Sequence, residues 1–255
     1  MEPATDILGQ LTAFSNRLGR PENDYVIVAE GNTSARADDA TFWVKASGTE
    51  LQTIRPDGFV RVVLERALAI VARADELDDD AVKRALESAK ADAGAPGRPS
   101  VETLLHAQLL SLEGINFVAH THPTAVNALT CSAAFPRACR GRLFPDEIVL
   151  CGTAPLLVPY VDPGLPLARA VRTHLRKYLD THGQAPRMVL MQNHGLIALG
   201  RTPRQVEDIT AMAVKTVRVL SGTFAFGGPH YLTARQVARI HTRPDELYRR
   251  QKRDS

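Results

Sequence analysis

Two histidines, His120 and His122, stand two residues apart in the apolar run 117-FVAHTHPTAV-126. Such a run reads as a β-strand, and side chains on a strand repeat with period two. Both imidazoles then project from one face while Thr121 points to the other. Neutral ring nitrogens converging in this way form half of a transition-metal site, and Pro123 would end the strand so that the pair sits at its mouth. A surface strand carrying two unrelated histidines is the alternative.

A metal that does chemistry typically has three protein ligands and an open position. The best third ligand is His194, at the end of the apolar run 188-MVLMQ-192 and between Asn193 and Gly195. His106, His174, His182, His230 and His241 are weaker candidates. Glu102 is the candidate acid/base. It lies in the first turn of a helix that Ser100 can cap, where the helix dipole favours a carboxylate in any case. His106, one turn on, can hydrogen-bond it. The turns Gly31-Asn32-Thr33-Ser34 and Ser47-Gly48-Thr49, with the helix start at Ser100, offer N–H groups and hydroxyls that can cradle an anion such as a sugar phosphate. Each is also ordinary turn chemistry. Lys45 can add charge to such a cradle, and a strand lysine facing solvent is the simpler reading.

The elements that must position these residues alternate helix and strand. Helices are expected over 5–18, 64–73, part of 75–98, 101–112, 123–130, 165–181, from Thr202 onward, and near 233–241 and 244–251. Strands are expected at 25–29, 42–46, 59–63, 117–122, 147–152, 156–161, 188–192 and 196–200, with 30–34 as a turn. There is no internal repeat, no long linker and no series of similar βαβ units. One α/β domain over residues 1–255 is therefore expected, an αβα arrangement with a mixed, largely antiparallel central sheet flanked by helices.

Composition narrows the class. The 255 residues are 44% hydrophobic and 23% charged, as in an ordinary globular protein with a substantial core. A net charge of +3, from 31 basic and 28 acidic residues, is too balanced to imply nucleic-acid binding; the basic stretch 248–255 reads as a solvated tail. Cys131, Cys139 and Cys151 match no zinc or redox spacing and argue for free thiols in a reducing compartment. With no signal-like start and no apolar run of about 18 residues, a cytoplasmic protein without a membrane span is expected.

Taken together, 31-GNTS-34, 47-SG-48, 99-PSVE-102, 120-HTHP-123 and 193-NHG-195 resemble the class II aldolase/adducin family, in that family's order. The stretches 42–51 and 98–110 look most like the aldolase half of rhamnulose-phosphate aldolase/dehydrogenase fusions, although no glycine-rich dinucleotide fingerprint follows a strand here. The resemblance implies a class II aldolase fold and a homotetramer with active sites at subunit interfaces. It also implies a divalent metal (zinc, or Mn2+, Co2+ or Fe2+) on His120, His122 and His194, with Glu102 as catalytic acid/base. Gly31, Asn32, Ser47, Gly48 and Ser100 would bind the substrate phosphate. One departure is Val101, where sugar-phosphate aldolases of the family often carry a second serine. Tyr231 and Tyr248 are possible counterparts of a family tyrosine that reaches the active site.

The reaction expected from these parts is retro-aldol cleavage of a small ketose or keto-acid, with a phosphorylated substrate expected. The cation polarises the carbonyl and its neighbouring hydroxyl and lies beside the enediolate that cleavage leaves. Epimerisation, decarboxylation of a 3-oxo-acid phosphate and dehydration of a sugar phosphate are feasible on the same scaffold. An Fe(II) oxygenase and a non-catalytic, adducin-like interaction protein are the more distant alternatives.

Overall fold

Seven strands hydrogen-bond into one sheet in the order β3-β2-β1-β4-β7-β6-β5. The computed structural model describes residues 6–246. Along the chain these form α1 (Ile7–Leu18), β1 (Asn32–Arg36), β2 (Thr41–Lys45), β3 (Phe59–Val63), α2 (Leu64–Ala72), α3 (Asp79–Ser88), α4 (Thr103–Leu110) and β4 (Phe117–Thr121). There follow α5 (Thr124–Thr130), α6 (Pro145–Cys151), β5 (Leu156–Val158), α7 (Leu165–His182), β6 (Met188–Met191), β7 (Gly195–Gly200), α8 (Pro203–Thr223) and α9 (Ala234–Thr242). Every pairing is antiparallel except β5 with β6, so the sheet is mixed and largely antiparallel, as expected.

The period of two divides the strands between two cores. Val118, Val189, Ile197 and Leu199 join Leu104, Leu105 and Leu109 of α4 and the inner faces of α2, α3 and α7. Phe117, Ala119, Leu190, Leu196 and Ala198 join Leu11, Phe14 and Leu18 of α1 and Val206, Ile209, Ala213 and Val217 of α8. Helices therefore cover both faces, which is the αβα arrangement. By the same alternation, His120 shares the face of Val118 and looks toward α4. The run 101-VETLLHAQLLSL-112 has the apolar and polar spacing of an amphipathic helix. Instead, all eight residues of α4 are buried, because it is clamped between the sheet and the helices α2 and α7.

Other expectations need correction. Residues 25–29 form a loop, not a strand. Both sides of β1 and of β4 are already paired, so the segment finds no open ladder beside them, and tertiary context overrides the β propensity of Val26, Ile27 and Val28. Residues 32–34, read as a turn, begin β1 instead. Of residues 147–152, read as a strand, 147–151 belong to α6, which has Pro145 in its first turn with Asp146 and Glu147 and ends at the C-cap Gly152; that is helix-start chemistry outweighing a β-branched run. Helix α4 starts at Thr103, with Glu102 at the cap position and no side-chain cap bond, so Ser100 is not the cap. Lys45 faces inward with only 2% exposure. Residues 203–226 are the one helical stretch among the described residues long and apolar enough to cross a membrane, and the inner side of α8 is packed on β7, α6 and α1. The three cysteines are free, with Cys139 and Cys151 buried and Cys131 exposed. Tyr248, most of the helix expected at 244–251 and the basic tail lie outside the described residues.

Candidate active site

The register of the central strands assembles the site. Asn32 of β1 lies opposite His120 of β4, and Ser34 lies opposite Val118. Asn32 and Ser34 thus share the α4 face with His120. On the other side of β4, Thr121 pairs with Leu196. That antiparallel register brings the residues just before β7 alongside those just after β4, so His194 arrives next to His122. The turn between β6 and β7 is closed by Asn193 in the left-handed region, at φ 52°, a conformation asparagine tolerates better than most residues. Gly195 completes the approach. A Cβ there would stand 2.7 Å from His122 Cδ2 and 2.7 Å from the carbonyl oxygen of Thr121.

The three imidazoles meet. One ligand nitrogen from each of His120, His122 and His194 can be chosen so that all lie within 4.8 Å of one another. His120 Nε2 and His122 Nε2 are 3.0 Å apart. Two nitrogens bound tetrahedrally to one zinc ion at about 2.0–2.1 Å would be roughly 3.3 Å apart, so the donor set fits a divalent metal. Burial, and then the charges of His120 and His194, push His122 down to about 4. Its ring is neutral near pH 7, the form that binds a metal.

Glu102 touches two of the three rings. Its Oε2 lies 3.2 Å from His120 Nδ1 and its Oε1 lies 3.3 Å from His194 Nε2. The side-chain amide of Asn32 donates to Oε2 as well. Burial alone would raise this carboxyl. The His120 and His194 rings pull harder in the other direction and hold it well below the usual carboxylate range. It is therefore an anion at neutral pH, kept in place by three partners.

Behind it, His106 is fully buried and pushed down to about 3 by that burial. Its Nδ1 is 2.6 Å from Ser34 Oγ, and among the described residues its Nε2 has no partner. The expected bond from His106 to Glu102 is thus replaced by one to Ser34, and His106 stays outside the histidine cluster. Lys45 places Nζ 3.3 Å from the carbonyl oxygen of Ala29. Burial lowers its pKa, against the smaller opposing pull of the Glu102 and Glu50 carboxylates. Reading the strand alone had set this residue toward solvent. Its place at the strand end, directly before the Ser47-Gly48 turn, was the available signal.

The remaining predicted residues divide into two groups. Gly31 (φ 72°) lies under the first strand residues, where a Cβ would meet the carbonyl oxygen of His120 at 2.7 Å, and Asn32 is engaged with Glu102. Ser47 and Ser100 are brought together by the isolated bridge between Ala46 and Pro99 and by the bond from Ser47 N to the Arg98 carbonyl, 2.9 Å. Both serines line an open cleft of about 760 Å³ that also includes Arg84, Arg98 and Val101. Ser100 Oγ is buried and has no partner among the described residues. Gly48, at φ 82°, has open space around it. Tyr231 is occupied elsewhere, its hydroxyl donating to the Ala138 carbonyl at 2.9 Å.

Comparison with known proteins places this arrangement. A Bacillus subtilis (strain 168) protein named as the uncharacterized oxidoreductase YuxG is 32% identical over 180 residues, covering 68% of this chain and 23% of that protein. The chain thus spans less than a quarter of that relative. The N-terminal class II aldolase domain of a conserved protein from Thermoplasma acidophilum superposes with a TM-score of 0.66 at 23% identity, over 86% of this chain and 95% of that one. An L-fuculose 1-phosphate aldolase gives a TM-score of 0.67 at 16% identity, over 94% and 96% of the two chains. At these identities the two likenesses are of fold. The family described as the class II aldolase and adducin N-terminal domain matches residues 10–220. On that match, the chain belongs to the class II aldolase and adducin family.

Proposed function

We propose that this chain is a divalent-metal-dependent lyase that cleaves a small phosphorylated ketose by a retro-aldol reaction. The observation that carries the reading is the placement of one carboxylate, Glu102, against two members of a three-imidazole cluster, at 3.2 Å and 3.3 Å. His120, His122 and His194 would hold the ion. When bound, a divalent ion supplies the electrophile that polarises the substrate carbonyl and offsets the negative charge that develops as the carbon–carbon bond breaks.

The protein's own groups handle the protons. In a retro-aldol cleavage, a proton leaves the hydroxyl of the carbon that becomes the aldehyde. Another proton arrives at the carbon that carried the broken bond. An ionised carboxylate accepts protons from its first moment in the site and can return them, which is the role assigned to Glu102. Asn32 and His120 fix its orientation, so its free lone pairs face a defined direction. For the phosphate, the buried hydroxyl of Ser100, which has no partner among the described residues, with Ser47, Gly48 and the cations of the cleft, offers a matching set of donors. Val101 leaves this subsite one hydroxyl short of the family's frequent double serine.

The test is a panel of phosphorylated ketoses and 3-oxo-acid phosphates, scored for aldehyde and for carbon dioxide, with metal analysis of the purified protein. Stoichiometric zinc or another divalent ion, together with aldehyde release lost in His120→Ala and His194→Ala, supports the reading. Carbon dioxide in place of aldehyde would move the assignment to decarboxylation, and metal retained in both histidine variants would refute the site.

A further inference from the structure

We propose that Glu30 is the outer carboxylate that orients His122 for the metal, a positioning residue distinct from the catalytic Glu102. The inference rests on the reading that the three imidazoles hold a divalent ion.

The geometry repeats itself on the two neighbouring rings. His120 and His122 turn their Nε2 atoms toward each other at 3.0 Å. Each then presents Nδ1 to a carboxylate: His120 to Glu102 Oε2 at 3.2 Å, and His122 to Glu30 Oε1 at 3.6 Å. The first is a hydrogen bond. The second, from a carboxylate to a neutral ring, is an ion–dipole contact a few tenths of an ångström longer. An anion facing Nδ1 favours the tautomer with the proton on that nitrogen, which leaves the Nε2 lone pair free for a metal and makes it more basic. Because Glu30 faces the other ring nitrogen, it acts on the site through His122.

What surrounds Glu30 indicates that its position is built. Its second oxygen accepts the Ile27 N–H at 3.0 Å, and its own N–H donates to the Ile27 carbonyl at 3.1 Å. Two residues upstream of Ile27, the Tyr25 carbonyl accepts the backbone N–H of His122 at 2.8 Å. The loop is thus tied to His122 at two points, through Tyr25 and through Glu30. The exposed apolar tip contributes little hold, since Ile27 and Val28 are 66% and 77% exposed. Val28 sits at φ 53°, a left-handed conformation that costs a β-branched residue energy and persists only where neighbouring contacts enforce it. One of those contacts is the bond from the Ile27 N–H to the Glu30 carboxylate. The region had been read as a strand running into a turn, which concealed the residue.

The experiment measures zinc affinity of the metal-stripped full chain by competition with a chromophoric chelator, for wild type, Glu30→Ala and Glu30→Gln. The visible spectrum of the cobalt(II)-loaded forms is recorded alongside. Glutamine keeps an acceptor for the Ile27 N–H, so the loop stays tied, but it removes the charge opposite His122. Affinity is expected to fall about 10- to 100-fold in the alanine variant and by a smaller factor in the glutamine variant, in the range of outer-shell substitutions. The cobalt absorption should shift in both, with thermal midpoints of the metal-free proteins unchanged. Two variants that bind zinc within twofold of wild type would overturn the inference. So would a weakened alanine variant beside an unaltered glutamine variant, which would assign the effect to the loop tether. A wild-type protein that takes up no zinc would instead sink the metal reading on which this depends.

Discussion

Gly195 backs directly onto the ring of His122: a single added carbon on the glycine would sit 2.7 Å from His122 Cδ2 and 3.4 Å from His120 Nε2. The position therefore fixes two histidines at once by having no side chain. Gly195→Ala is expected to displace the His122 ring and spread the ends of β4 and β7. Zinc affinity should drop at least tenfold and stability should fall by about 1–3 kcal/mol, the usual range for overpacking. A chelator competition and a denaturant titration check both.

Glu102→Gln removes the charge and the proton-carrying capacity while keeping a side chain of the same shape between Asn32 and the rings. Metal content should be retained, and turnover should fall about 10²–10⁴-fold. Steady-state kinetics on the metal-loaded variant decide this; a rate close to wild type would remove Glu102 from the chemistry.

Ser100→Ala tests the phosphate end. A hydrogen bond to a charged group contributes about 1.5–3 kcal/mol, which corresponds to roughly a 10- to 100-fold rise in KM for a phosphorylated ketose. The same ketose without phosphate should be handled equally by the variant and the wild type. Equal losses on both substrates would place the serine outside any anion subsite.

His106 makes stability depend on pH. Burial pushes the folded ring down to about 3, whereas an unfolded histidine titrates near 6.5. As pH falls below the higher value, the unfolded chain takes up a proton that the native state refuses. Stability is therefore fully present above about pH 6.5 and is lost on acidification toward pH 3. Between pH 7 and pH 5 this single group costs about 2 kcal/mol. His106→Gln should lose that much less stability than wild type over the same interval, as read by urea midpoints under identical metal conditions.

The legibility of the site follows from where its information resides. Period-two alternation and the five ordered motifs were enough to select His120, His122, His194 and Glu102, and the register of β1, β4 and β7 brings all four together. Lys45 and Glu30 were not legible, because each owes its position to chain folded from elsewhere. Lys45 is buried with its Nζ against the Ala29 carbonyl, and Glu30 is held by a loop whose apolar letters look like a strand. The two misread segments fail for different reasons. A short run of β-branched residues does not announce that the strands beside it are already paired, as at 25–29, nor that Pro145, Asp146 and Glu147 start a helix through it, as at 147–151. Which rings would share an ion was readable; which groups stand behind those rings required the packed chain.

The sequestration of α4 has a thermal corollary. Glu102 stands at the cap position of a helix with no solvent-facing residue, locked between the sheet and two further helices, so under the proposed function the carboxylate keeps its place beside its histidines while the interior holds. On warming, the curve of catalytic inactivation should overlay the melting curve instead of preceding it, as it would if the machinery hung on a peripheral loop.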